Sequence, residues 1–105
     1  EIIAGIAAVV HELRVELPES KILLLGIFPR GKKESPARAQ IKAINAAIAG
    51  LNDGEHVFYL DIGAKFLEPD GTLSRTIMPD LLHPSQKGFE IWAEAIDGPL
   101  HALLQ

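Results

Sequence analysis

Ile2, Ile6, Val9, Val10, Leu13 and Leu17 return at intervals of three and four, a rhythm that predicts an amphipathic helix closed by Pro18. Lys21 to Phe28 breaks the rhythm. Its apolar character is continuous, as in a strand covered by helices on both faces, and so predicts a central, parallel strand ended by Pro29, Arg30 and Gly31. Ser35 to Ala37 supply a second helix start. Ile41, Ile44, Ile48 and Leu51 line one face of that helix until Asn52, Asp53 and Gly54 break it, and a short strand follows at Val57 to Ile62. Gly63 to Pro84 shows no periodicity, apart from a turn at Glu68, Pro69, Asp70 and Gly71. The last helix starts near Ser85 and places Phe89, Trp92, Ala93 and Ile96 on its core stripe. Gly98 and Pro99 predict its end, with Leu100, Leu103 and Leu104 forming a final apolar turn.

Helix, strand, helix, strand, long loop, helix is the order of an α/β layer sandwich, with parallel strands joined by right-handed crossovers. Two strands do not complete such a sheet, because both edges stay open and a helix layer lacks support. The chain opens within a helical pattern, without an initiator methionine or a basic leader, and is therefore expected to be the later part of a longer protein. No internal repeat or linker interrupts it.

Composition narrows the function classes. The 105 residues are 48% hydrophobic and 23% charged, which fits one compact unit rather than a disordered tail. Ten Lys and Arg against fourteen Asp and Glu give a net charge of -4, and no basic cluster exceeds Arg30, Lys32 and Lys33, so nucleic acid is not an expected partner. The apolar run from Ile22 to Phe28 is too short to span a bilayer. Zero cysteines remove disulfide, thiolate and zinc-thiolate chemistry and assign no compartment.

Candidate chemistry lies in the long loop. Asp80 stands three residues before His83, and Pro84 drives His83 out of the α region, so both belong to an extended or turning segment able to fold the carboxylate onto the ring. A carboxylate accepting from Nδ1 fixes the imidazole tautomer and stabilises the imidazolium formed when a hydroxyl gives up its proton. By spacing alone, the same residues are better described as a helix cap, Asp80 or Ser85, beside a surface histidine. Architecture favours the chemical reading. Ligands of parallel sheets bind beyond the carboxyl ends of the strands, where the Pro29, Arg30, Gly31 turn, the Asp61 and Gly63 segment and the Asp80 and His83 loop converge. Loops longer than about 12 to 15 residues are, moreover, usually functional or disordered.

Several residues carry the resemblance to a family. They are Leu24 through Gly31, Asn45, Tyr59 to Asp61, Phe66, Asp70 and Gly71, then Asp80 to Pro84 with Gly88, Phe89 and Trp92. Together they make the chain resemble the C-terminal half of the SGNH, or GDSL-type, hydrolases, in the branch of the platelet-activating-factor acetylhydrolase catalytic subunits and related bacterial esterases. The resemblance implies a three-layer, flavodoxin-like sandwich present as an incomplete C-terminal half, and a serine esterase acting on small acyl esters without a cofactor. It implies that Asp80 orients His83 and that His83 activates a serine. The Gly-Asp-Ser nucleophile block and the glycine and asparagine oxyanion blocks of the family are not in this chain, and Ser20, Ser35, Ser74 and Ser85 stand in no such context. The missing N-terminal half, or a second copy, is the implied partner beside a small carbohydrate or lipid acyl ester.

Other residues are weaker candidates. Leu82 and Met78 are candidates for the border of an acyl pocket, with core packing as the alternative. Arg30 suits contact with a carbonyl or anionic group, or else a solvated loop position. Asp61 ends a strand as a phospho-acceptor would, but no acidic pair accompanies it, and it reads as a loop-fixing carboxylate. Asn45 shares a face with Ile41 and Ile48, the setting of a satisfied buried amide. His11, His56 and His101 read as structural, and Asp80 with His83 supplies too few ligands for a metal. A non-catalytic α/β binding or scaffold unit remains the alternative to the enzyme.

Overall fold

A computed structural model describes residues 1–105. Helix α1 spans Ile2–Glu16 and begins with the Glu1 carboxylate accepting from the Ile3 amide at 2.9 Å. It ends before Pro18, whose carbonyl takes a bond from the Arg14 guanidinium at 2.8 Å. Strand β1, Ile22–Leu25, leads into α2, Pro36–Ile48, which passes through one 3-10 turn at Ala49–Leu51 into strand β2, Val57–Leu60. Helix α3 covers Gln86–Leu103. No helix is long and apolar enough to cross a membrane.

The two strands pair in parallel with Ile22 opposite Val57 and Leu25 opposite Leu60, joined by the α2 crossover as the element order requires. Both strands are shorter than their apolar runs. Beyond Gly26, whose amide still reaches the Leu60 carbonyl at 2.9 Å, the backbone of Ile27 turns away from β2. Asn45 on α2 takes it over, with Oδ1 accepting from the Ile27 amide at 2.7 Å and Nδ2 donating to its carbonyl at 3.0 Å. The satisfied buried amide expected at Asn45 is thus what ends β1. At the other strand Asp61 Oδ1 accepts from the Gly63 amide at 2.8 Å, fixing the loop as expected and turning Gly63–Phe66 into a 3-10 helix.

The faces of the ribbon meet different helices. Tyr59 lies over Gly26 beside Asn45 of α2, where a Cβ on residue 26 would stand 2.5 Å from the Tyr59 hydroxyl. Leu60 instead packs into the cluster under α3. That cluster is built on Ile62, Phe66, Leu73 and Met78, with Phe28 edge-on to Trp92 at 4.8 Å between ring centres. Three of its four central residues belong to the segment that lacked periodicity. The 63–84 stretch therefore packs through single anchors rather than a stripe, aided by a bridge between Leu67 and Leu73 around the expected Glu68 to Gly71 turn.

Helix α3 departs from expectation twice. It runs through Gly98 and Pro99 to Leu103, although the Pro99 ring costs a helical hydrogen bond and crowds the carbonyl one turn back, and the Leu104 amide closes the turn beyond on the Leu100 and His101 carbonyls. Its core side is Gly88, Ile91, Trp92, Ala95 and Ile96, while Phe89 and Ala93 face outward. Apolar residues on two sides of one helix give the right period with an ambiguous phase.

Candidate active site

The Asp80 to His83 turn is built by Asp80 itself. Its Oδ1 accepts from the amides of Leu82 at 2.9 Å and His83 at 2.7 Å, and its Oδ2 lies 2.6 Å from His83 Nδ1. One carboxylate thus folds the backbone and holds the ring, the local Asx geometry that makes Asp common in turns. The turn forces Leu81 to φ 59°, a left-handed conformation uncommon for a leucine. Two backbone bonds hold it there. The Leu81 amide donates to Met78 O at 2.9 Å, and the Leu81 carbonyl accepts from the Gly31 amide at 2.8 Å. Gly31 has φ 74° and belongs to the loop leaving β1, so the turn is docked at the carboxyl end of the sheet.

Electrostatics follow from this geometry. The His83 amide, then the His83 ring and the Leu82 amide hold the Asp80 carboxyl well below the usual carboxylate range. The site is open, with the His83 side chain 76% and that of Asp80 54% exposed. With Nδ1 engaged by the carboxylate, the proton-accepting capacity of the neutral ring is at Nε2. Asp80 is the only hydrogen-bond partner of the ring, and no serine of the chain reaches it. Ser85 Oγ donates to Thr76 O at 2.7 Å, and Ser74 Oγ accepts from the Thr76 amide at 3.2 Å.

The other sequence candidates divide. Arg30 and Leu82 line one cavity of about 330 Å³ with Ile27, Phe28, Ala37 and Ile44, between the β1 exit, α2 and the Asp80 turn. Leu82 is exposed enough to form its wall. Met78 is 1% exposed, packed in the cluster of Ile62, Phe66 and Leu73, and so cannot border a pocket; its depth is set by tertiary packing that sequence does not report. No group of three His, Asp or Glu side chains is arranged to hold a metal ion. The Gly31 amide, a backbone contact across fifty residues, carries no signal in the sequence. Ser85 also caps α3, its Oγ accepting from the Gly88 amide at 3.2 Å, as its place before the helix predicts, whereas its bond to Thr76 O carries no signal in the sequence.

A parallel α/β ribbon with a carboxylate-oriented imidazole beyond its strand tips is an arrangement suited to acyl transfer. The comparisons carry that class to a family: the model of the GDSL-like lipase/acylhydrolase family matches residues 1–91, and the chain belongs to it. Platelet-activating factor acetylhydrolase IB subunit alpha2 of Gallus gallus is 34% identical over 105 residues, 99% of this chain and 44% of that protein. Subunit alpha1 of Homo sapiens is 31% identical over the same shares. A solved structure from Streptococcus pneumonia, described as a platelet activating factor, superposes with a TM-score of 0.79 over 93% of this chain and 50% of that one. At 21% identity this last likeness speaks for the fold alone. The chain spans less than half the length of the curated relatives it matches.

Proposed function

We propose that these residues are the acid and base side of a serine esterase for small acyl esters, within a three-layer sandwich whose other strands and nucleophile lie outside this chain. The observation that carries the reading is the 2.6 Å contact of Asp80 Oδ2 with His83 Nδ1, on a turn held at the strand tips. His83 Nε2 takes the proton of the external serine as its oxygen bonds to the ester carbonyl. It then gives that proton to the departing alkoxide, leaving an acyl-enzyme. In the second half His83 takes a proton from water as the water oxygen attacks the acyl carbon, and returns it to the serine. Asp80 stays ionised throughout and stabilises the imidazolium. Leu82 forms a wall of the acyl site, and Arg30 reaches polar groups of the leaving portion. The names of the curated relatives, acetylhydrolases, favour an acetyl-type acyl group.

The test is turnover of an aryl acetate by the full-length polypeptide that includes these residues. His83→Ala is expected to lower kcat by about 10³-fold or more with the fold intact, while residues 1–105 alone give no saturable hydrolysis. Unchanged turnover in His83→Ala, or His83-dependent turnover by the 105 residues alone, would overturn the proposal.

A further inference from the structure

The Asp80 turn is a loop closed at its base by a single residue. The Ser85 amide donates to Ile77 O at 2.7 Å and the Ser85 hydroxyl donates to Thr76 O at 2.7 Å, tying the chain that enters the turn to the chain that leaves it. The same hydroxyl oxygen accepts from the Gly88 amide at 3.2 Å and so caps α3. Between these ends lie Met78, anchored in the core, and the exposed Asp80 and His83 pair, held besides by the bonds of its own turn and by the Gly31 amide on Leu81 O. Gly88 keeps the staple close: a Cβ there would stand 2.6 Å from Ile77 O. Arg75 adds a brace from its guanidinium to Pro79 O at 3.0 Å.

We infer that Ser85 is a positioning residue for the site, and that it acts through the hydroxyl proton it donates to Thr76 O rather than through its cap on α3. An exposed carboxylate and imidazole whose side chains share one contact hold that contact weakly, because both compete with water. Here the backbone carries the geometry. His83 is two residues from Ser85, so a slip of the Ser85 staple re-aims the ring relative to Asp80, whose own position follows from Met78. A misplacement of about 1 Å at a reacting group is enough to cost about 100-fold in rate. The inference rests on His83 being the base, as proposed above, and its test separates the two.

Three substitutions distinguish the two uses of the hydroxyl. Ser85→Thr keeps both bonds. Ser85→Asp keeps an acceptor for the Gly88 amide and loses the donor to Thr76 O at neutral pH, and Ser85→Gly loses the donor at a helix position where glycine is tolerated. In the full-length polypeptide, the measurements are aryl acetate kinetics and the ¹⁵N spectrum of the His83 ring, which reports the Nδ1–H tautomer. Ser85→Thr is expected to match the parent. Ser85→Asp and Ser85→Gly are expected to fold, to lose about 10- to 100-fold in kcat with KM little changed, and to show a diminished Nδ1–H population. Parent-like kcat and tautomer in either folded variant overturn the inference. So does unfolding of both while Ser85→Thr folds, which would make the hydroxyl a requirement of folding rather than of aim. If His83→Ala retains turnover, the base assignment fails first; the tautomer measurement still decides whether Ser85 sets the ring.

Discussion

The two oxygens of Asp80 divide their work between backbone and ring, and the division makes asparagine a sharper probe than alanine. In Asp80→Asn the amide oxygen can still accept from the Leu82 and His83 amides, so the turn survives. The amide nitrogen then faces His83 Nδ1, where only an acceptor fits, and the ring takes the tautomer with its proton at Nε2. We expect kcat to fall about 10³- to 10⁴-fold, with the thermal midpoint lowered less than by Asp80→Ala. Asp80→Ala loses the turn acceptor as well and is expected to lower both. The charge leaves a second signature. Because the folded-state carboxyl titrates below its unfolded value of about 3.9, its stabilisation is fully present above about pH 4 and is lost as pH falls through the folded value. The midpoint difference between the parent and Asp80→Ala should therefore narrow below about pH 4, and a constant difference from pH 7 to pH 2 would contradict it. This pair was legible in the sequence because an Asx turn is local. Met78 was not, since nothing in its neighbours tells a core anchor from a pocket wall.

Among the elements, three- and four-residue spacing announced all three helices, and the apolar runs announced both strands. What spacing missed was where the first strand stops: Asn45, a side chain of α2, ends β1, whereas the Asp61 turn after β2 is local and was legible. Phase was the other gap, because α3 carries apolar residues on two sides and only packing selects Ile91, Trp92 and Ala95 over Phe89 and Ala93. The same helix offers a paired check on that packing. A Cβ at Gly88 meets Ile77 O at 2.6 Å and Pro84 Cβ at 2.9 Å, whereas a Cβ at Gly98 meets nothing within 4 Å apart from its chain neighbours. Gly98→Ala removes the backbone freedom of a helical glycine but sets a Cβ against the ring of Pro99, and is expected to change stability by less than about 1 kcal/mol. Gly88→Ala has to push α3 away from the 74–78 segment and is expected to lower stability by about 1–3 kcal/mol. Chemical denaturation of both variants measures the contrast, and equal effects would mean that α3 does not dock through Gly88.

At the scale of the molecule, the two edges of the ribbon are not equivalent. The outward amides of β2 are taken by side chains of the loop that precedes it: Asn52 Oδ1 accepts from Tyr59 at 2.7 Å, and Asp53 Oδ1 from Val57 at 2.9 Å. That edge is closed. On β1 the amides of Ile22 and Gly26 point to β2, so those of Leu23 and Leu25 point away, and no strand pairs there. Beside them runs a groove of about 620 Å³ lined by Ile6, Val9, Val10, Leu13, Ile22 and Leu24, with Val9 60% exposed. The radius of gyration, 14.7 Å, exceeds the roughly 13 Å of a self-contained domain of this length. An apolar groove along an open strand edge is where a further strand gains both hydrogen bonds and burial. The proposal that the nucleophile and remaining strands lie outside this chain thus makes a local claim about Leu23 and Leu25. In the full-length polypeptide their amides should exchange with deuterium as slowly as those of Ile22 and Leu24. In residues 1–105 alone they should exchange far faster than that inner pair. Fast exchange of Leu23 and Leu25 in the full-length protein would leave the edge of β1 bare, and the rest of the sheet would have to be sought on another side of the ribbon.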